Sequence, residues 1–218
     1  LYQQTQSPPG VLVAAALHSV RGVPVDQMPS VVEWADSHET PSHVHSSEQK
    51  AEIDQCLAVY GRTPTAVLRD AGALGPRTTA VHATHLTRDD IDDLDRTHTG
   101  VCFCPTTERD LGDGIGPAPA LLDANGLFSL GSDSHAVIDM FEEARAVELD
   151  ERLAREERGI IGAAKLLHAA TAGSGSPVFQ VGLRSQRKRS GMTTPSKMIP
   201  PPTKNRYPLV LRVPSCEG

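Results

Sequence analysis

His43 and His45 stand one residue apart in the stretch PSHVHSSEQK (41–50), and Glu48 follows three residues after His45. These residue types at this spacing suit hydrolysis at a metal ion. Neutral imidazole nitrogens and carboxylate oxygens ligate a catalytic zinc that keeps one position open for water. A carboxylate beside it that does not ligate can move the water's protons. His45 and Glu48 fit those two roles. Alternation along a strand puts His43 on the same face as His45, one layer deeper, either as a second ligand or packed or hydrogen-bonded beneath the site. A lone histidine is commonly a core or loop residue, but here the pattern recurs. His18 follows the apolar run VLVAAAL (11–17), His82 and His85 fall in TTAVHATHL (78–86), and LFSLGSD (127–133) ends in Asp133, with His135 two residues on.

Such groups must converge from separate elements. Residues 11–145 alternate short β-rich runs with helical patterns, which predicts βα units and a parallel sheet. The expected strands are VLVAAALHSV (11–20), SHVHS (42–46), TTAVHATHL, GVCFCPT (100–106) and LFSLGSDS (127–134). The expected helices cover 29–37, 48–60, 64–71, 88–97, 118–124, 139–158 and 161–170. Ser46 or Ser47 is expected to cap the second helix, Thr87 with Asp90 the fourth, and Asn125 with Gly126 to end the fifth. A purely structural parallel strand reads as apolar throughout. Four of these five instead run into His or Asp at or near their C-terminal ends, the end that carries the chemistry in a (β/α) barrel.

At 218 residues, with 39% hydrophobic and 22% charged residues, the chain is long enough to bury one good-sized core. No apolar run approaches the ~20 residues that span a membrane. Four cysteines (56, 102, 104, 216) point to thiols in a reducing cytoplasm rather than to a disulfide framework. Cys102 and Cys104 are spaced more tightly than zinc-binding pairs and read as buried thiols. GDGIGPAP (112–119) lacks the Lys-Ser/Thr of a phosphate loop and reads as a turn into a helix, and RDDIDDLD (88–95) as a solvated helix face. The net charge of −6 conceals a break: residues 173–218 hold eight Lys/Arg against one acid, a net +7, leaving −13 for residues 1–172. That basic, Pro- and Ser-rich stretch has no strand or helix period and is expected to be a disordered tail. It lacks the interleaved aromatics that stack bases, so no nucleic-acid partner is expected.

HVHSSEQ (43–49), VHATHL (81–86), FCPTTERDLGDGI (103–115) and GSDSH (131–135) together resemble the zinc amidohydrolase superfamily in its aminohydrolase (deaminase) branch. LHSVRGVP (17–24) and SSEQKAEIDQCL (46–57) sharpen the likeness to the formimidoylglutamate deiminases, over roughly residues 8–172. The resemblance implies an α/β fold: a partial (β/α)8 TIM barrel, about strands 4–8 with their helices, over residues 1–172, followed by the tail. It implies one zinc ion ligated by His45 and Asp133, with Asp133 also catalytic. Glu48 becomes the acid/base that carries the water proton to the leaving nitrogen, and His82 the group that orients the attacking water or the tetrahedral intermediate. His18 and Arg21 match positions facing the substrate, and an arginine fork suits a glutamate carboxylate. His135 is implied as a support for Asp133. The implied reaction converts a small molecule, N-formimidoyl-L-glutamate, to N-formyl-L-glutamate and ammonia, a cytoplasmic step of histidine degradation, with a homodimer possible in the full-length parent. Another zinc deaminase or chlorohydrolase, of guanine or cytosine type, is the alternative within the superfamily; a non-catalytic truncated remnant is the alternative outside it.

The family pattern opens with a His-x-His pair on its first strand, and here no histidine precedes His18. His43-Val44-His45 lies between the HSVR and VHATH motifs and is followed by Glu48-Gln49, so it matches the fifth-strand motif instead. Three or four βα units are therefore expected to be missing, the zinc ligand set to be incomplete, and the isolated chain to be inactive.

Overall fold

In the computed structural model, residues 13–124, 126, 128–134 and 137–173 are described. Five strands, β1 (Ala15–Leu17), β2 (Ser42–Ser46), β3 (Thr78–His82), β4 (Gly100–Phe103) and β5 (Phe128–Leu130), form one sheet in sequential order, with every pair parallel. Right-handed crossovers in an unreversed order place all the connecting helices on one face. This is the winding of a barrel wall rather than of a doubly wound sheet. The helices are α1 (Met28–Ser37), α2 (Lys50–Tyr60), α3 (Pro64–Asp70), α4 (Arg88–Thr97), α5 (Pro105–Leu111), α6 (Ala118–Asp123), α7 (Met140–Arg155) and α8 (Ala163–His168).

Register explains the two faces. Leu17, Val44, Ala80, Val101 and Phe128 lie level across the sheet and are all buried. Leu17 and Val44 pack with Met28, Cys56, Val67 and Leu68 from α1–α3. Ala80, Val101 and Phe128 pack with Ile91, Leu94, Leu121, Val147 and Leu166 from α4 and α6–α8. The alternate residues His45, Val81, Cys102 and Ser129 form a level, half-buried row on the opposite face, which would line a barrel. Phe103 fixes Gly116: a Cβ there would stand 2.3 Å from the ring.

Several expectations need correction. The first strand is only three residues long. Helix α2 starts at Lys50 with Gln49 at its N-cap and no side-chain cap; Ser46 and Ser47 instead bond Thr65 Oγ1 at 2.9 and 3.1 Å, because both hydroxyls are buried against α3. Thr87 and Asp90 do form the expected reciprocal cap on α4. The face of α4 is not merely solvated. Asp90 is buried and accepts from Thr63 at 2.5 Å, and buried Asp93 pairs with Arg69, tying α4 to α3. His43 shares a strand face with His45, as alternation requires, but is exposed. Helix α6 ends at Asp123; Asn125, His135 and residues 174–218, with the tail expected there, lie outside the described residues. Among the described residues no helix is long and apolar enough to cross a membrane.

Candidate active site

The C-terminal ends of β2 and β3, with the loops leaving β1, β2 and β5, bring His18, Arg21, His45, Glu48, His82 and Asp133 to one cavity of about 370 Å³. All the predicted site residues that are described therefore come together. Gly22 completes the wall: a Cβ there would lie 2.8 Å from His18 Nδ1, so only glycine lets the loop pass that ring.

The backbone is strained where it delivers these groups. Ser47 (φ 53°), His82 (66°), Ala83 (50°) and Asp133 (42°) all adopt left-handed conformations without being glycine, at a cost of order 1–3 kcal/mol each. Alternation alone would turn His82 toward the helices, on the side of Ala80. The left-handed pair at 82–83 turns the ring into the cavity instead. Hydrogen bonds from Ala83 N–H to Ser46 C=O and from His85 N–H to Ser47 C=O, both 2.9 Å, hold this reversal against β2.

His45 Nδ1 donates to the His18 carbonyl at 2.7 Å, which leaves Nε2 as the nitrogen carrying the lone pair. The His45 ring stacks on His82 at 5.5 Å. His82, with only 2% of its side chain exposed, has Nε2 3.7 Å from Glu48 Oε1 and 4.0 Å from Asp133 Oδ2, and Nδ1 3.3 Å from Glu108 Oε1. Burial opposes protonation of His82, but Glu108, Glu48 and Asp133 outweigh it and hold its pKa above the ordinary imidazole value.

Arg21 Nη2 donates to Glu48 Oε2 at 2.6 Å and Nη1 to Gln49 Oε1 at 3.1 Å, and Nε lies 3.8 Å from Glu52 Oε1. Glu52 is fully buried and accepts the Glu48 N–H at 2.8 Å. Burial raises its pKa.

Sequence reasoning missed helix α5. Thr106 N–H and Oγ1 donate to buried Glu143 of α7 at 3.0 and 2.5 Å. Thr107 Oγ1 lies 3.1 Å from Ser134 Oγ and accepts the Ser134 N–H at 3.3 Å, bracing the Asp133 loop. Glu108 accepts the Cys104 N–H at 2.8 Å and faces His82. Seven residues are too few to show a helical period, but Pro105 at the start and left-handed Gly112 at the end were a readable signal. His82, Cys104 and Glu108 also have the donor types of a metal site, within 4.8 Å of one another. Hydrogen bonding to Cys102 and burial push the Cys104 thiol pKa far above its ordinary range.

A parallel sheet wound in one sense, with imidazoles and carboxylates meeting at its C-terminal ends, is the arrangement in which (β/α) barrels build their sites. Residues 3–174 match the model of the Amidohydrolase family, and the chain belongs to that family. It is 36% identical over 149 residues to the formimidoylglutamate deiminase of Pseudomonas aeruginosa, covering 68% of this chain and 33% of that protein. It is 30% identical over 159 residues to the 5-methylthioadenosine/S-adenosylhomocysteine deaminase of Haloquadratum walsbyi, covering 72% of this chain and 36% of the relative. The crystal structure of a Xanthomonas campestris adenosine deaminase with bound zinc superposes with a TM-score of 0.74 at 29% identity, over 81% of this chain and 41% of that one. The chain thus spans about a third of the length of the curated relatives it matches.

Proposed function

We propose that this chain carries the proton-transfer and carboxylate-binding part of a zinc-dependent deiminase site whose substrate is N-formimidoyl-L-glutamate. The observation that supports this most is Arg21. Its fork stands in the cavity wall, a third exposed, already holding a carboxylate oxygen of Glu48 at 2.6 Å. A substrate carboxylate entering the cavity takes that place on the guanidinium and frees Glu48 to act. Glu48 then takes the proton of the attacking water and delivers it to the departing nitrogen. His82 Nε2 orients the oxygen, and His18 lines the substrate's path. Atoms balance as formimino group plus water giving formyl group plus ammonia.

The donor set fits part of a zinc site. His45 Nε2 and the Asp133 carboxylate face one cavity, and Glu48 adds a second carboxylate against a single fixed cation, Arg21, a balance that suits a divalent ion. These two donors alone are fewer than the three or four that hold catalytic zinc. When bound, zinc supplies the Lewis acidity that makes water a nucleophile at neutral pH. A small-molecule substrate, a cytoplasmic place in histidine degradation, a homodimer and the barrel portion at residues 1–172 belong to the same reading.

A chimaera in which residues 13–172 replace the matching segment of the Pseudomonas aeruginosa enzyme tests it. Ammonia release from N-formimidoyl-L-glutamate should depend on zinc and disappear on chelation. Arg21→Ala should raise KM roughly ten- to hundredfold, the loss of a charged hydrogen bond worth about 1.5–3 kcal/mol. An unchanged KM, or a preference for S-adenosylhomocysteine, would overturn the substrate assignment.

A further inference from the structure

We propose that Glu108 is a positioning residue for His82: it accepts the Nδ1 proton, fixes the ring as one tautomer, and leaves Nε2 as the nitrogen presented to the cavity. This rests on the reading of His82 as a site residue. The geometry is specific. Glu108 Oε1 lies 3.3 Å from His82 Nδ1, and the side chains are 4% and 2% exposed, so no bulk water competes for either group. A carboxylate oxygen can only accept, so Nδ1 is the donor. With Nδ1–H committed, the neutral ring has its lone pair on Nε2, which lies 3.7 Å from Glu48 Oε1 and 4.0 Å from Asp133 Oδ2.

Glu108 is itself held. Its Oε1 also accepts the N–H of Cys104, the N-cap of α5, at 2.8 Å, and the first turn of α5 is pinned to α7 through Thr106 and Glu143. The carboxylate also gains from its place in that first turn. Opposite it, the left-handed backbone at His82 and Ala83 fixes where the ring leaves β3. The ring is thus constrained at its root by strain and at its Nδ1 edge by an anchored acceptor. A group orienting a reacting oxygen needs this double constraint, because a free imidazole exchanges tautomers and flips.

The test is 15N NMR of the histidine ring nitrogens in the full chain, without zinc or substrate, at a pH above the imidazole range. His82→Gln identifies the His82 signals. In the wild type, Nδ1 should carry the proton and Nε2 should show the unprotonated shift. Glu108→Ala should release the ring to averaged or Nε2–H shifts, while Glu108→Gln, whose amide oxygen still accepts, should restore Nδ1–H. A helix-capping role alone would leave the His82 tautomer unmoved. An Nε2–H tautomer in the wild type overturns the proposal even if Glu108→Ala fails to fold, and so does an unchanged tautomer in a folded Glu108→Ala. Because the readout needs no turnover, the two readings fail separately. An inactive chimaera with a fixed Nδ1–H removes the deiminase reading alone, and an active one with Nε2–H removes the positioning alone.

Discussion

Both ends of the sheet gather histidines, but only one end surrounds them with acids. At the N-terminal ends of β3–β5 lies a cavity of about 500 Å³, larger than the roughly 370 Å³ at the C-terminal ends. Val101, Leu122 and Phe128 line it, with His98 and His168 at its margin, and no carboxylate is among its described lining residues. His98 is the C-cap of α4 and His168 the last residue of α8. At the other end, His82 lies within about 4 Å of three carboxylates, and the chain is strained to bring it there. Volume records where packing is incomplete. What distinguishes the second end is titratable groups in one another's reach; left-handed backbone does not, since His98 at the larger cavity also adopts it (φ 55°).

The largest effect should separate the two ends directly. In the chimaera, Glu48→Gln should lower kcat roughly 10²–10⁴-fold, the usual contribution of a positioned acid/base, while His168→Asn leaves it unchanged; equal losses in steady-state ammonia release would erase the contrast. Next comes the core between the two cavities. Phe103 is 2% exposed and faces Phe128 at 5.7 Å, so Phe103→Ala should cost about 3–5 kcal/mol in denaturant unfolding.

A smaller, pH-dependent effect belongs to the lower end, where Glu148 of α7 holds the turn into α8. Burial raises its pKa, but the Ile161 N–H, the Arg152 guanidinium and the Gly159 N–H outweigh that and hold it below the ordinary value. A depressed carboxylate stabilises the fold above its unfolded pKa of about 4.3, and that contribution is lost as pH falls through the folded pKa. Unfolding midpoints of wild type and Glu148→Gln should therefore differ at neutral pH and converge in acid. The smallest effect should be Thr87→Ala at the upper end, which removes the α4 cap for about 1 kcal/mol.

The strands and most helices were legible because their signals are local. The apolar run before His18 and the cap at Thr87 and Asp90 need only neighbours in sequence to be read. The site was legible because its residues recur at one position, the C-terminal ends of successive strands. What escaped reading were partnerships across long stretches of chain. Ser46 and Ser47 resemble caps until Thr65 arrives 18 or 19 residues later to take both hydroxyls. Asp93 reads as solvated until Arg69 reaches it from α3.

By itself, the sequence determined the parallel βα order, the residues that meet at the cavity and the family likeness, since all of these follow from residue type and spacing. Only the tertiary structure decided that Arg21 is held by Glu48, that His82 turns inward against its strand's alternation, and that Glu108 stands behind it. Those outcomes depend on which buried groups are brought within hydrogen-bonding distance, and the cost of leaving any of them unpaired is settled only when separate elements pack.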